Sequence, residues 1–168
     1  MQQGVHAREH ADMAHGADAA TPGEINRLAT SATNHCLTGC VIGEVMGMTI
    51  ATALGWGDVP SIALAVALAF LFGYSLTSLP LLRARIPFAA IVPIALAADT
   101  VSIAIMEVID NAFMLVVPGA MEAGLSDLRF WAPLLGGFAI AWPFAFMVNR
   151  AMIRRGRGHA VVHQYHAH

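Results

Sequence analysis

No lysine occurs in this chain; all nine of its basic residues are arginine. Charge of either sign is scarce. Only 12% of the 168 residues are charged and the formal net charge is −2, where an ordinary soluble domain is about 25% charged. A basic face for nucleic acid is therefore not expected. Cysteine is scarce too: Cys36 and Cys40 are the two, too few for a disulfide scaffold. Also missing are a glycine-rich phosphate loop, a dinucleotide fingerprint and a Ser–His–Asp arrangement. The chain thus reads as a non-enzyme with no organic cofactor. What it has in abundance is apolar surface, 57% of its residues, and this points to a lipid bilayer as the surrounding solvent.

Residues 1–30 are polar, carry His6, His10 and His15, and read as a disordered tail without the apolar run of a signal peptide. A short lead-in helix is expected over 24–33. Four apolar segments follow, each near the roughly 20 residues needed to cross hydrocarbon. They run over about 34–55, 60–82, 87–108 (extending towards 117) and 130–152. Pro93, Pro133 and Pro143 fall inside them and predict kinks rather than ends. The predicted class is all-α, an integral membrane four-helix bundle over 31–153, with an Arg/His-rich tail at 154–168. Arg83, Arg85, Arg154, Arg155 and Arg157 fall on one side of such a bundle. Asp58, Glu122, Asp127 and Arg129 fall on the other. The positive-inside rule then places both termini in the cytoplasm, in a multi-pass protein of the inner membrane.

The first segment opens with "NHCLTGCVIGEVMGM", residues 34–48. At four-residue spacing Cys36, Cys40, Glu44 and Met48 form one stripe of a helix, and Gly39, Gly43 and Gly47 form another beside it. Small residues at that spacing let a second backbone approach, so this glycine zipper predicts a buried face at a helix or subunit contact. Thiolate and thioether favour Cu(I), and thiolate with imidazole also suits Zn²⁺. His35, Cys36, Cys40, Glu44 and Met48, with Met46 in reserve, are the candidate metal ligands. The opposing reading is that the two thiols are small apolar filler.

Counted from entry near Asn34, Glu44 lies roughly 15 Å deep at 1.5 Å per residue. An acid there is a functional candidate by default. The third segment adds Asp99, Glu107 and Asp110. Asp99, Ser102, Met106 and Asp110 share a face, with Glu107 at its margin. Asp99, roughly 18 Å in by the same count, is expected to face Glu44 and complete the metal or proton site. Glu107 and Asp110 are expected nearer the outer mouth, or Asp110 and Asn111 as a helix cap. No basic residue lies well inside the segments to pair with these acids; Arg129 and Arg150 fall at their boundaries. The carboxyl tail offers His159, His163 and His166, with His168, as further imidazole ligands.

"HCLTGCVIGEVMGM", "AADTVSIAIMEVIDNAFM", "PGAM", "FWAPL" and "NRAMIRRGRGHAVVHQYH" together resemble an uncharacterised prokaryotic integral-membrane family labelled domain of unknown function 4396. The likeness runs from about residue 33 to the end. It implies a small helical membrane protein with a native His-rich terminus, and no activity.

Three expectations follow. The first is a transition-metal binding or transport protein, Cu(I) before Zn²⁺, acting as a homo-oligomer or with a membrane partner. The second is a membrane assembly or scaffold protein held by its glycines. The third is a membrane thiol redox protein, since Cα atoms four apart on a helix lie about 6 Å apart, within disulfide reach.

Overall fold

The first helix begins at Pro22 rather than near residue 34, and the signal is local. "TPGE" is a capping box: the Thr21 hydroxyl accepts from the Glu24 N–H at 3.3 Å, and Glu24 accepts from the Thr21 N–H at 2.7 Å. Pro22 occupies the first helical position, where its missing N–H costs nothing. The expected lead-in helix and the first apolar segment are thus one helix, α1 (Pro22–Ala53). It ends at Gly55, whose φ of 65° permits the left-handed turn. The Gly55 N–H donates to the Thr52 carbonyl and the Trp56 N–H to the Ala51 carbonyl, the paired bonds of a glycine-terminated helix.

Three more helices follow: α2 (Asp58–Arg83), α3 (Phe88–Val116) and α4 (Leu128–Arg154). The structure, a computed structural model, describes residues 21–83 and 88–155. His6, His10, His15, Arg85, Arg157, His159, His163, His166 and His168 lie outside the described residues. All regular structure among the described residues is helical. α4 runs on through Pro133 and Pro143. The helices α1, α4 and the stretch Asp58–Leu79 are each long and apolar enough to cross a membrane. α3, at 29 residues and about 44 Å, matches them in length but carries three acids.

The helices ring a common axis in chain order. α1 packs most closely on α2 and α3 on α4, α4 closes on α1 and α2 on α3, and α1 meets α3 across the axis. α1 and α2 are antiparallel and nearly touch. A Cβ built on Gly39 would lie 2.7 Å from the Gly73 Cα, and one on Gly47 would lie 2.9 Å from the Ala65 Cβ. A Cβ on Gly43 would strike the Ala69 backbone. The glycine stripe is therefore spent within one chain, against α2.

Polarity runs inside out. Glu44, Asp99, Ser102, Glu107, Asp110, Asn111 and Asn149 are buried, while Ile42, Ile50, Leu71, Leu79, Val108, Leu135, Ile140 and Phe144 are exposed. Hydroxyls hide by donating to the carbonyl one turn back, as Thr38, Thr49, Ser75 and Thr100 do.

Gly43→Ala should drive the α1 and α2 backbones apart at a cost of about 1–3 kcal/mol, the scale of overpacking. A lower thermal midpoint in detergent reads this out. Gly57→Ala, placed in open space, should stay within about 0.5 kcal/mol of the parent. Equal midpoints would mean that the helices are not in backbone contact.

Candidate functional site

With its glycines against α2, α1 turns the stripe Cys36, Cys40, Glu44 and Met48 into the bundle. All four are buried. Across the axis stands the acidic face of α3. The two helices run parallel, and their side chains meet level by level.

At the inner level the Cys36 thiol donates to Asp99 Oδ1 at 3.4 Å. Thr77 of α2 lies beside Asp99 and Ser102 beside Cys36. Asn149 of α4 ties the level together, donating to Thr33 Oγ1 at 3.0 Å and to Ser102 Oγ at 3.1 Å. All four helices thus place a polar side chain here. At the middle level the Cys40 thiol faces the Glu107 carboxyl. At the outer level Glu44 adjoins Glu107 and Asp110. The Asn111 amide approaches Glu44 without hydrogen-bond geometry and donates instead to the Glu107 carbonyl at 3.0 Å and to Glu107 Oε2 at 3.4 Å. Asp110 is pressed against α4, where a Cβ on Gly137 would lie 3.0 Å from the Asp110 Cα. One turn beyond Glu44, a cavity of about 410 Å³ is lined by Met48, Thr52, Ala123, Ser126 and Phe130.

Six buried oxygens at the outer level lack a hydrogen-bond partner among the described residues: both of Glu44, both of Asp110, Glu107 Oε1 and Asn111 Oδ1. No arginine among the described residues interacts with these acids. An ionised acid at the centre of a membrane helix costs about 2.5–3.5 kcal/mol. Ionised, Glu44, Glu107 and Asp110 would need compensation by positive charge or by hydrogen-bond donors.

Several expected placements need correction. Glu44 does not face Asp99. Asp99 sits at the level of Cys36, about 12 Å along α1 from Glu44. The depth count failed because it assumed that both helices enter at a common plane. The register is set instead by where α1 crosses α3. Glu107 and Asp110 are interior rather than at a mouth, being 3% and 0% exposed. Asp110 and Asn111 cannot cap α3, which continues to Val116. His35 turns towards the Leu76 backbone on α2, Met46 points outward, and Met48 lies three turns from Cys36. Asn34 accepts from Trp142 Nε1 at 2.9 Å. The soft-ligand cluster therefore does not converge. Among the described residues, no group of three or more His, Cys, Asp and Glu side chains is arranged to hold a metal ion. Ser102 and Met106 do line the axis and are fully buried. Asn149 and Thr77 join the site unannounced by the sequence, because Thr77 lies among Tyr74, Ser75 and Ser78 and Asn149 beside Arg150, where neither stands out.

The chain belongs to the family described as Domain of unknown function (DUF4396), which residues 26–158 match. Comparison with curated proteins and with solved structures gives no significant match.

Both cysteines are free and buried. In the folded protein they should resist a maleimide reagent, and two thiols per chain should react after denaturation. Rapid labelling of either one in the native state would contradict this packing.

Proposed function

We propose that this chain is a multi-pass membrane protein that binds a transition-metal cation and moves it along the α1–α3 axis. The observation that carries this reading is the ladder itself. Cys36 with Asp99, Cys40 with Glu107, and Glu44 with Glu107 and Asp110 form successive levels in the centre of the bundle. Each level pairs donors from α1 with donors from α3. A path for an ion needs sites strong enough to admit it and weak enough to release it. A series of sparse levels suits passage better than storage.

The surroundings support the same reading. An apolar exterior around a polar axis is stable in lipid and costly in water. Arg83, Arg154 and Arg155 cluster at one end of the bundle, and Asp58, Glu122 and Asp127 at the other. The positive-inside rule favours a cytoplasmic position for the arginine end and both termini. Reporter fusions at residue 168 and in the 118–127 loop test that orientation, which fails if the loop reporter is the cytoplasmic one.

The two thiol levels make Cu(I) the first cargo to test and Zn²⁺ the second. The glycine face of α1 is already covered by α2, which weakens the scaffold reading based on it. The two sulfurs engage different acids, which weakens the redox reading.

In proteoliposomes the parent protein should take up Cu(I) or Zn²⁺. Paired Cys36→Ser and Cys40→Ser should slow uptake at least tenfold, and Glu44→Gln should do the same. Uptake by the parent no faster than by empty liposomes would refute the proposal, as would full uptake by both variants.

A further inference from the structure

The end of α4 gathers positive charge with little to answer it. The guanidinium groups of Arg150, Arg154 and Arg155 make no ion pair among the described residues. Arg150 Nε is buried and has no hydrogen-bond partner there. Glu24, the acid near the start of α1 at this end, is held by the Thr21 capping box and faces Arg27. Two helices start at this end of the bundle and two finish. Their dipoles oppose one another, so the arginines set the sign of the charge.

Arg154 and Arg155 line a pocket of about 260 Å³ together with Ala151. Residues three and four apart share a helix face, so both arginines stand over the small Ala151 side chain. Arg150 lies one turn before Arg154. From Leu128 to Arg150 α4 covers about 33 Å, close to the thickness of the hydrocarbon layer. Arg154 and Arg155 lie roughly 6–8 Å further on, at the depth of the headgroups. An apolar track leads to the pocket from below. Met147, Phe144 and Ile140 continue the face of Ala151 at spacings of four, three and four, and they are 56%, 48% and 45% exposed. A guanidinium fork matches the oxygens of a phosphate. A free phosphate would use the pocket and leave the track bare, whereas a phospholipid uses both.

We propose that Arg154 and Arg155, with Arg150 one turn deeper, form a phosphate-binding site that takes the headgroup of an anionic phospholipid, whose acyl chain lies along Met147, Phe144 and Ile140. The site rests on the membrane reading of the chain and is independent of the cation pathway.

The test is native mass spectrometry of the full chain released from mixed micelles, titrated with phosphatidylglycerol, with phosphatidylcholine and with inorganic phosphate. Phosphatidylcholine carries a trimethylammonium group that offsets its phosphate. The parent should bind phosphatidylglycerol about tenfold more tightly than phosphatidylcholine. Paired Arg154→Gln and Arg155→Gln should abolish that preference. Ala151→Leu, which fills the pocket and leaves the charge unchanged, should weaken it severalfold. All three positions are exposed, so the variants should fold. Arg83→Gln should keep the preference, because Arg83 ends α2, across the ring from α4. Equal binding of the two lipids by the parent overturns the site. So does a preference that survives the paired substitution, or one that Arg83→Gln removes equally. Inorganic phosphate that binds the parent and displaces phosphatidylglycerol at equal concentration overturns the lipid assignment in favour of a soluble phosphate. A chain that does not insert into vesicles of either lipid sinks the membrane reading. A chain that inserts and shows no preference sinks the site alone.

Discussion

The backbone contact between α1 and α2 governs the interior. Gly39, Gly43 and Gly47 meet Gly73, Ala69 and Ala65 with no room for a side chain between them. That contact fixes the rotation of α1. The stripe of Cys36, Cys40 and Glu44 lies roughly 60–100° round the helix from the glycines, and so is turned off α2 and onto the axis. A rotation that moved the glycines away would carry an acid and two thiols towards the apolar outer surface of the bundle. Close packing by small residues here does more than hold two helices together. It aims the chemistry.

Once α1 is aimed, α3 must answer it. An acid facing a dry interior needs a proton, a cation or hydrogen-bond donors. The inner level is better supplied: Asp99 accepts from Cys36, and Asn149 links Thr33 and Ser102. The outer level is poorly supplied, with orphaned oxygens on Glu44, Glu107, Asp110 and Asn111. The outer level thus holds more buried oxygens without a hydrogen-bond donor than the inner one, where Thr77 Oγ1 also lacks one among the described residues. Buried polar networks that are complete rigidify a fold, whereas incomplete ones are costly. Such a cost is characteristic of sites that bind something.

Much of this was legible in the residue order. Four apolar segments produced four helices. Glu44 and Asp99 are buried, as expected of acids set in apolar segments. The glycine stripe announced a close contact, though its partner turned out to be α2 of the same chain. The true start of α1 was also written locally, in the "TPGE" capping box, and a reading by hydropathy alone passed over it.

Helical periodicity determined which side chains share a face, because that depends only on the 100° turn per residue. Cys36, Cys40 and Glu44 belong together on those grounds, and so do Asp99, Ser102 and Asp110. The level at which one face meets another was decided by tertiary structure. It placed Cys36 against Asp99, and Glu44 against Glu107 and Asp110, while sending His35 towards α2 and Met48 towards the outer cavity. The reason is physical: register between α1 and α3 depends on where the helices cross and how α2 and α4 wedge them. Those contacts lie between residues distant in sequence, and no local pattern encodes them.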